Sequence, residues 1–279
     1  MNKQRGFTLA ELMIASLLGL VVVGGMANLF ITANRSVSLS DGLSQNQETG
    51  RFAMDYMTRF IRNAGYTDDF FINIPALLTT NGTFSCTASA DTVNACSIND
   101  ASTGDVVGDR LAIRFVVSAG QVQASCTGTQ LGDIDAVVSE SFASVFWVNG
   151  AQQLMCRTLN VATNTWFGAP APIINHIERL EFQVGLANVQ SGEKSRDAAR
   201  YVNFDKIQAD TSYKLIDDIR SIRIAILTTS QDSLNNNKIQ TKKEERKYGL
   251  LDATPETFDD GKLRSIFSNT IELVNAIEG

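Results

Sequence analysis

"RGFTLAELMIASLLGLVVVGGMANLF", Arg5–Phe30, decides the architecture of this chain. From Leu12 to Ala33 it carries no formal charge. At about 1.5 Å per helical residue that run reaches roughly 33 Å, the thickness of a bilayer core. Lys3 and Arg5 precede it and the next basic residue is Arg35. The positive-inside rule therefore keeps the short N-terminus in the cytoplasm and sends everything after about residue 34 across the membrane. A secretory signal has a shorter apolar stretch closed by small residues at a cleavage site. Here the small residue, Gly6, stands in front of the run. A cut between Gly6 and Phe7 would remove MNKQRG and keep the helix.

Such a cut gives Glu11 a purpose. Phe7 would carry a free ammonium at the positive end of a helix, where the macrodipole disfavours it. A carboxylate at i+4 lies on the same face and offsets that charge, on its own chain or on a staggered neighbour. At 4 Å and an effective dielectric of 20 the gross attraction is on the order of 4 kcal/mol before desolvation. An isolated ionised group at bilayer depth costs about 2.5–3.5 kcal/mol, so pairing favours assembly. The competing reading is a plain signal anchor whose Glu11 snorkels to the headgroups.

The string "GFTLAELMIA" resembles the prepilin motif of type IV pilins and of type II secretion pseudopilins at every position. The resemblance implies cleavage after Gly6 by a prepilin peptidase, N-methylation of Phe7, and docking of Glu11 and Phe7 into a filament. Gly19, Gly24 and Gly25 interrupt the apolar run. They suit close helix contacts in lipid. By the same resemblance they mark where the filament helix stretches, although this chain lacks the proline many major pilins carry there.

Val37 to Ala64 is polar but keeps helical periodicity in Ala53, Met54, Met57, Phe60, Ile61 and Ala64, a stripe expected to pack on a globular body. Arg59 and Arg62 suit the last turn and Gly65 a C′ position, so the helix is expected to end near Ala64. Gly42 and Gly50 predict a bend. Thr67 to about Gly108 reads as a long loop holding Cys86 and Cys96. "RLAIRFVVSA" (110–119), "SFASVFWV" (141–148), "IINHIERLEFQVGL" (173–186) and "DIRSIRIAILTT" (218–229) read as strands, the last with a bulge near Ser221 or Ile222. Asn149-Gly150 predicts a tight hairpin into "AQQLMCRTL". The intervening segments read as loops and turns, not as crossover helices, which favours antiparallel pairing. The C-terminal "DDGKLRSIFSNTIELVNA" (259–276) fits a strand or a short helix.

The passage "QETGRFAMDYMTRFIRNAGY" (47–66) resembles minor pilins of the PilW family, and the C-terminal run resembles the last strand of PilW-like and GspJ-like proteins, which favours a strand there. The fold so implied is α+β, of the type IV pilin kind. A long helix with a membrane half and an amphipathic half packs on an antiparallel sheet with long disulfide-pinned loops. The expected divisions are a leader (1–6), a membrane or filament-core helix (7–33), an amphipathic half (34–65) and a periplasmic body (66–279). Pairing Cys126 with Cys156 leaves Cys86 with Cys96, one of three possible connectivities for four cysteines.

Net charge is −6, with 24 Lys+Arg against 30 Asp+Glu, which offers no basic field for direct nucleic-acid binding. One histidine, His176, no CxxC, and no G-x-S-x-G or H-E-x-x-H leave no catalytic residues, no metal site and no cofactor to name. A lone histidine on a strand is read as a half-buried sheet residue. The acid pairs Asp68-Asp69, Asp217-Asp218 and Asp259-Asp260 fit no calcium loop, which weakens a calcium- or glycan-binding module.

The resemblance implies a minor pilin, not an enzyme, that primes assembly or builds the tip complex of a type IV pilus. A GspJ-like pseudopilin of a type II secretion system is the alternative. The implied partners are other minor pilins, the major pilin, a tip adhesin, the prepilin peptidase and inner-membrane lipid. The implied location is the inner membrane, with the body periplasmic, and the assembled pilus. About 215 of the 279 residues follow Ala64, a body that would crowd a close-packed shaft and so favours the tip.

Overall fold

The computed structural model describes residues 6, 8–69, 74–79, 95–99, 106–190, 193–209, 218–231 and 245–276. Its dominant element is α1, Leu9–Arg62, 54 residues long, which at about 1.5 Å per residue is an 80 Å rod. No proline occurs before Pro75, so nothing removes a helical hydrogen bond, and α1 runs unbroken through Gly42 and Gly50. It ends at Asn63, whose N–H returns to the carbonyls of Phe60 and Ile61. Gly65 then takes a left-handed conformation (φ 74) and donates its N–H to the Arg114 carbonyl, turning the chain onto the sheet.

The strands are β1 (Val106–Val117), β2 (Gln123–Ala124), β3 (Gln130–Leu131), β4 (Glu140–Asn149), β5 (Gln153–Asn160), β6 (Thr165–Asn175), β7 (Ile177–Gln190), β8 (Glu193–Val202), β9 (Ile219–Thr229), β10 (Arg246–Tyr248), β11 (Glu256–Phe258) and β12 (Arg264–Glu272). A short helix, α2 (Phe204–Ala209), follows β8. The main sheet has the order β12-β9-β7-β1-β4-β5-β6, with β8 added to β7. Every pairing in it is antiparallel except β1 with β7, which meet in parallel at Gly108 and Leu180. A Cβ on Gly108 would stand 2.5 Å from the Leu180 carbonyl oxygen, so only glycine permits that approach.

Three sequence expectations change. β1 starts at Val106, inside the segment read as loop, because Leu77 and Ile98 of that segment bridge to Ile113 and Arg110 and bring order to it. Asn149-Gly150 does not form a two-residue turn. The loop is Gly150–Gln152, the positive φ (61°) falls on Gln152, and the Asn149 side chain accepts the N–H groups of Ala151 and Gln153. That is the three-residue hairpin, closed by an asparagine acting on the backbone beyond it.

Residues 173–186, read as one strand, are two. His176, with φ 66, turns the chain between β6, at one edge of the sheet, and β7, near its middle. The His176 carbonyl is held by the Thr229 N–H, and the Ile177 N–H bonds the Gln152 carbonyl, which closes the corner. In the β7–β9 pairing Gly185 faces Ser221 and Leu186 faces Ile219, so Arg220 is the bulged residue.

One face of β7 and β9 supplies Phe182, Val184, Ile222, Ile224 and Ile226 to a core completed by Met57 and Ile61 of α1. Burying a side chain of this size is worth about 1.5–3 kcal/mol, and this stripe is what clamps the helix. On the opposite face Ala225 and Leu227 are covered by Leu250 and the β10–β11 hairpin.

Candidate assembly helix and its joint to the body

Helix α1 has two halves with opposite surroundings. Every residue from Thr8 to Asp41 is exposed; the first fully buried one is Asn46. Leu12, Leu17, Leu20 and Leu29 are each about two-thirds exposed or more (67, 66, 76 and 72%). The bare half is the segment long and apolar enough to cross a membrane. Its hydroxyls are satisfied within the helix: Ser16 donates to the Met13 carbonyl (2.9 Å) and Thr32 to the Asn28 carbonyl (2.9 Å). This removes the cost of an unpaired O–H in lipid. A Cβ on Gly19, Gly24 or Gly25 would meet nothing within 4 Å. Any close contact these glycines serve must come from another molecule.

At the start of the rod, Thr8 is the N-cap and Glu11 the N3 residue of a capping box. The Thr8 N–H donates to Glu11 Oε2 (2.9 Å), the Thr8 hydroxyl donates to the same oxygen (3.0 Å), and the Glu11 N–H donates back to Thr8 Oγ1 (3.3 Å). The signal was in the sequence, since Thr-x-x-Glu before an apolar run is the capping-box pattern. It was missed because Glu11 was weighed only as a charge in lipid. Both bonds use one carboxylate oxygen, and a carboxylate has room for further donors. Capping and pairing with an ammonium are therefore compatible. Gly6 is exposed, and Phe7 lies outside the described residues.

Beyond its apolar stripe, the second half of α1 is fastened to the body at several places. Asn46 is fully buried and donates its amide to the Leu263 carbonyl (3.0 Å). A Cβ at Gly50 would fall 2.2 Å from Phe267 Cε2, so the glycine there serves close approach, not flexibility. Tyr56 donates its hydroxyl to the Cys126 carbonyl (2.5 Å) and packs between Phe52, Phe60 and Phe146. Burial pushes the Tyr56 phenol up from its usual value, which keeps the donated proton in place. At the distal end, Asn275 donates to the Arg62 and Ala64 carbonyls.

Two covalent and ionic ties hold the surfaces that α1 rests on. Cys126 is joined to Cys156 by a disulfide 30 residues apart in sequence. Cys96 is also disulfide-bonded, while Cys86 lies outside the described residues. Arg264, at the first residue of β12, is buried and bonds Glu178 through Nε (2.5 Å) and Nη2 (2.8 Å). It also bonds Asp260 through Nη1 (2.7 Å) and Nη2 (2.6 Å), with its guanidinium 3.7 Å over the Phe258 ring. The Arg264 hydrogen bonds hold the Asp260 carboxyl down to about 2.

Of the acid pairs singled out from sequence, Asp217 lies outside the described residues and three acids are employed by the fold. Asp68 accepts the Ser139 hydroxyl, Asp218 pairs with Lys194 (2.8 Å) and Asp260 pairs with Arg264. His176 is the strand corner. Among the described residues, no group of three His, Cys, Asp or Glu could hold a metal ion.

The termini of this architecture agree with two sequence families. Residues 1–27 match the model of the prokaryotic N-terminal methylation motif, and residues 141–275 match that of type IV pilus-assembly protein W. The body thus resembles type IV pilus-assembly protein W over just under half of the chain, and the N-terminus carries the methylation motif. The first match covers Gly6, Phe7 and Glu11, and the second covers β4 through β12. The clad half of α1, β1 and the Cys96 loop fall between them. None of the curated proteins compared with it matches. Among solved structures it is similar to the type IV-like pilin TTHA1219 from Thermus thermophilus, at 16% identity, over 86% of this chain and 98% of that one, with a TM-score of 0.38.

Proposed function

We propose that this chain is a minor pilin, held in the inner membrane by the bare half of α1 with its body periplasmic, and passed from lipid into a type IV pilus. There it primes assembly or forms part of the tip complex with other minor pilins. The observation that carries this is the contrast along one helix: thirty-four consecutive exposed residues, Thr8–Asp41, mostly apolar, none of them buried by the rest of the described chain. Lipid covers such a surface in storage and neighbouring helices cover it in a filament, so the same residues serve both states. In this reading a peptidase removes residues 1–6, Phe7 is N-methylated, and Glu11, already bonded to Thr8, accepts an ammonium from its own or an adjacent chain. In a dry filament core the attraction within that pair is stronger, offset in part by the cost of removing its hydration. The 54-residue helix supports the body well clear of the bilayer, which suits a subunit placed at an end of the filament.

The test is Glu11→Ala in cells carrying otherwise normal pili. The expected result is normal membrane level and normal removal of residues 1–6, with about a tenfold or greater loss of the chain from sheared pili, as for an interaction of more than about 1.4 kcal/mol. Unchanged incorporation would remove the docking role.

A further inference from the structure

We propose that the free edge of β12 is a docking site for an extended acidic segment of another protein, added to the sheet as an extra strand. The main sheet has three strand edges without a partner among the described residues, on β6, β8 and β12. Two of them are blocked in the ways natural sheets block edges. β6 carries Pro170 and Pro172, and β8 carries Lys194, Arg196, Asp197 and Arg200. β12 has neither device: between its buried Arg264 and its terminal Glu272 the sequence is Ser-Ile-Phe-Ser-Asn-Thr-Ile, without charge, proline or glycine. Its register with β9 contains no bulge.

The direction of its backbone groups follows from two bonds. The Leu273 N–H donates to Arg220, and the Leu263 carbonyl accepts from Ser230. In an antiparallel pair such bonds alternate, so the odd-numbered residues face β9. The N–H and C=O groups of Ile266, Ser268 and Thr270 then point away from the sheet, and all three residues are exposed.

The occupant is narrowed by the helix alongside. β12 runs in the same sense as α1: Leu263 lies against Gly42 and Asn46, Phe267 against Gly50, and Asn275 against Arg62. Two-fold antiparallel pairing of two β12 edges would point the two membrane helices in opposite directions, which excludes a symmetric second copy in one membrane. Asn269 bonds Thr58, so the helical row Gln47, Arg51, Met54, Thr58, Arg62 flanks the β12 side of α1. That row holds Arg51 and Arg62, and the neighbouring acid Asp55 is paired with Arg59 (2.6 Å), so cations remain in excess along this flank. A strand laid on β12 thus meets hydrogen-bonding backbone at its edge and positive charge on its helix side, which selects carboxylates at alternate positions. The site stands on the monomer and does not rest on filament incorporation.

The test uses the full chain in detergent micelles with the peptide acetyl-Thr-Glu-Val-Glu-Val-Glu-Thr-amide and its Lys-for-Glu counterpart. The expected result is about tenfold slower amide exchange at Ile266, Ser268 and Thr270 on adding the acidic peptide. Binding of the lysine peptide should be about fivefold or more weaker, and Arg51→Glu should lower acidic-peptide binding by a similar factor. Ser268→Pro, whose lost N–H faces outward, should abolish the protection while leaving the melting temperature in place; if that variant does not fold, Ser268→Lys replaces it. Four results would each overturn the proposal: no protection, equal binding of both peptides, slow exchange already present without peptide because the chain covers its own edge, or a concentration-dependent dimer that protects the same amides.

Discussion

The two halves of α1 are one continuous helix, yet they are held in opposite ways. From Thr8 to Asp41 the helix carries its own ladder, its cap and back-bonded hydroxyls, and its apolar side chains are all exposed. From Gly42 to Arg62 it is fixed by Asn46, Gly50, Tyr56 and the Ile-rich face of β9. The difference shows that helical propensity and fold attachment are separate properties of this rod. Substitutions in the clad half should move the stability of the body, and substitutions in the bare half should move only what other molecules do with it.

The largest loss should come from the surface beneath the clad half. Replacing Cys126 and Cys156 together by alanine removes a loop constraint worth about 2–5 kcal/mol and should lower the melting temperature of the purified chain by many degrees. An unchanged melting temperature would detach the disulfide from the joint. Next comes Gly50→Val, which forces branched atoms into the Phe267 ring; about 1–3 kcal/mol of destabilisation is expected in denaturant titration, where a simple helix-propensity view predicts a gain over glycine. Tyr56→Phe should cost about 1 kcal/mol, the worth of one hydrogen bond from a half-buried hydroxyl.

Acid should weaken the start of β12 before the rest. Asp260 titrates near 2 in the folded chain, below the ordinary aspartate value, so its pairing with Arg264 is fully present above about pH 4 and is lost as pH falls toward 2. Fluorescence-monitored unfolding between pH 5 and 2 should show a smaller loss of stability for Asp260→Asn than for the unaltered chain. The smallest effect belongs to the bare half. Thr8→Val removes an N-cap worth about 1 kcal/mol locally, and it should leave the melting temperature of the body unmoved while speeding exchange of the first helical amides. If it shifted the body as Gly50→Val does, the two halves would not be independent.

Much of this was legible from residues alone. The bare half announces itself by 22 uncharged residues, and β4, β9 and β12 by β-branched and aromatic runs, because burial on one or both faces dictates those patterns. The joints were not legible. Gly50 signals flexibility in a sequence and close contact in the structure, since the Phe267 it meets is 217 positions away. His176 sits in an unbroken apolar pattern because β6 and β7 both need apolar residues, and only the topology reveals a corner between them. Arg264 gives no periodic signal, because its partners Glu178 and Asp260 belong to different segments. The Thr8–Glu11 cap was written in four residues and hidden by the attention a lone acid draws.

The central claim is that the bare half is exposed for assembly after the first six residues are gone. Intact-mass and N-terminal fragment analysis of the chain recovered from sheared pili tests it most directly. The account predicts a chain beginning at a methylated Phe7, with Gly6 and everything before it absent. A chain that still begins at Met1, or one found in the membrane fraction and never in sheared pili, would contradict it.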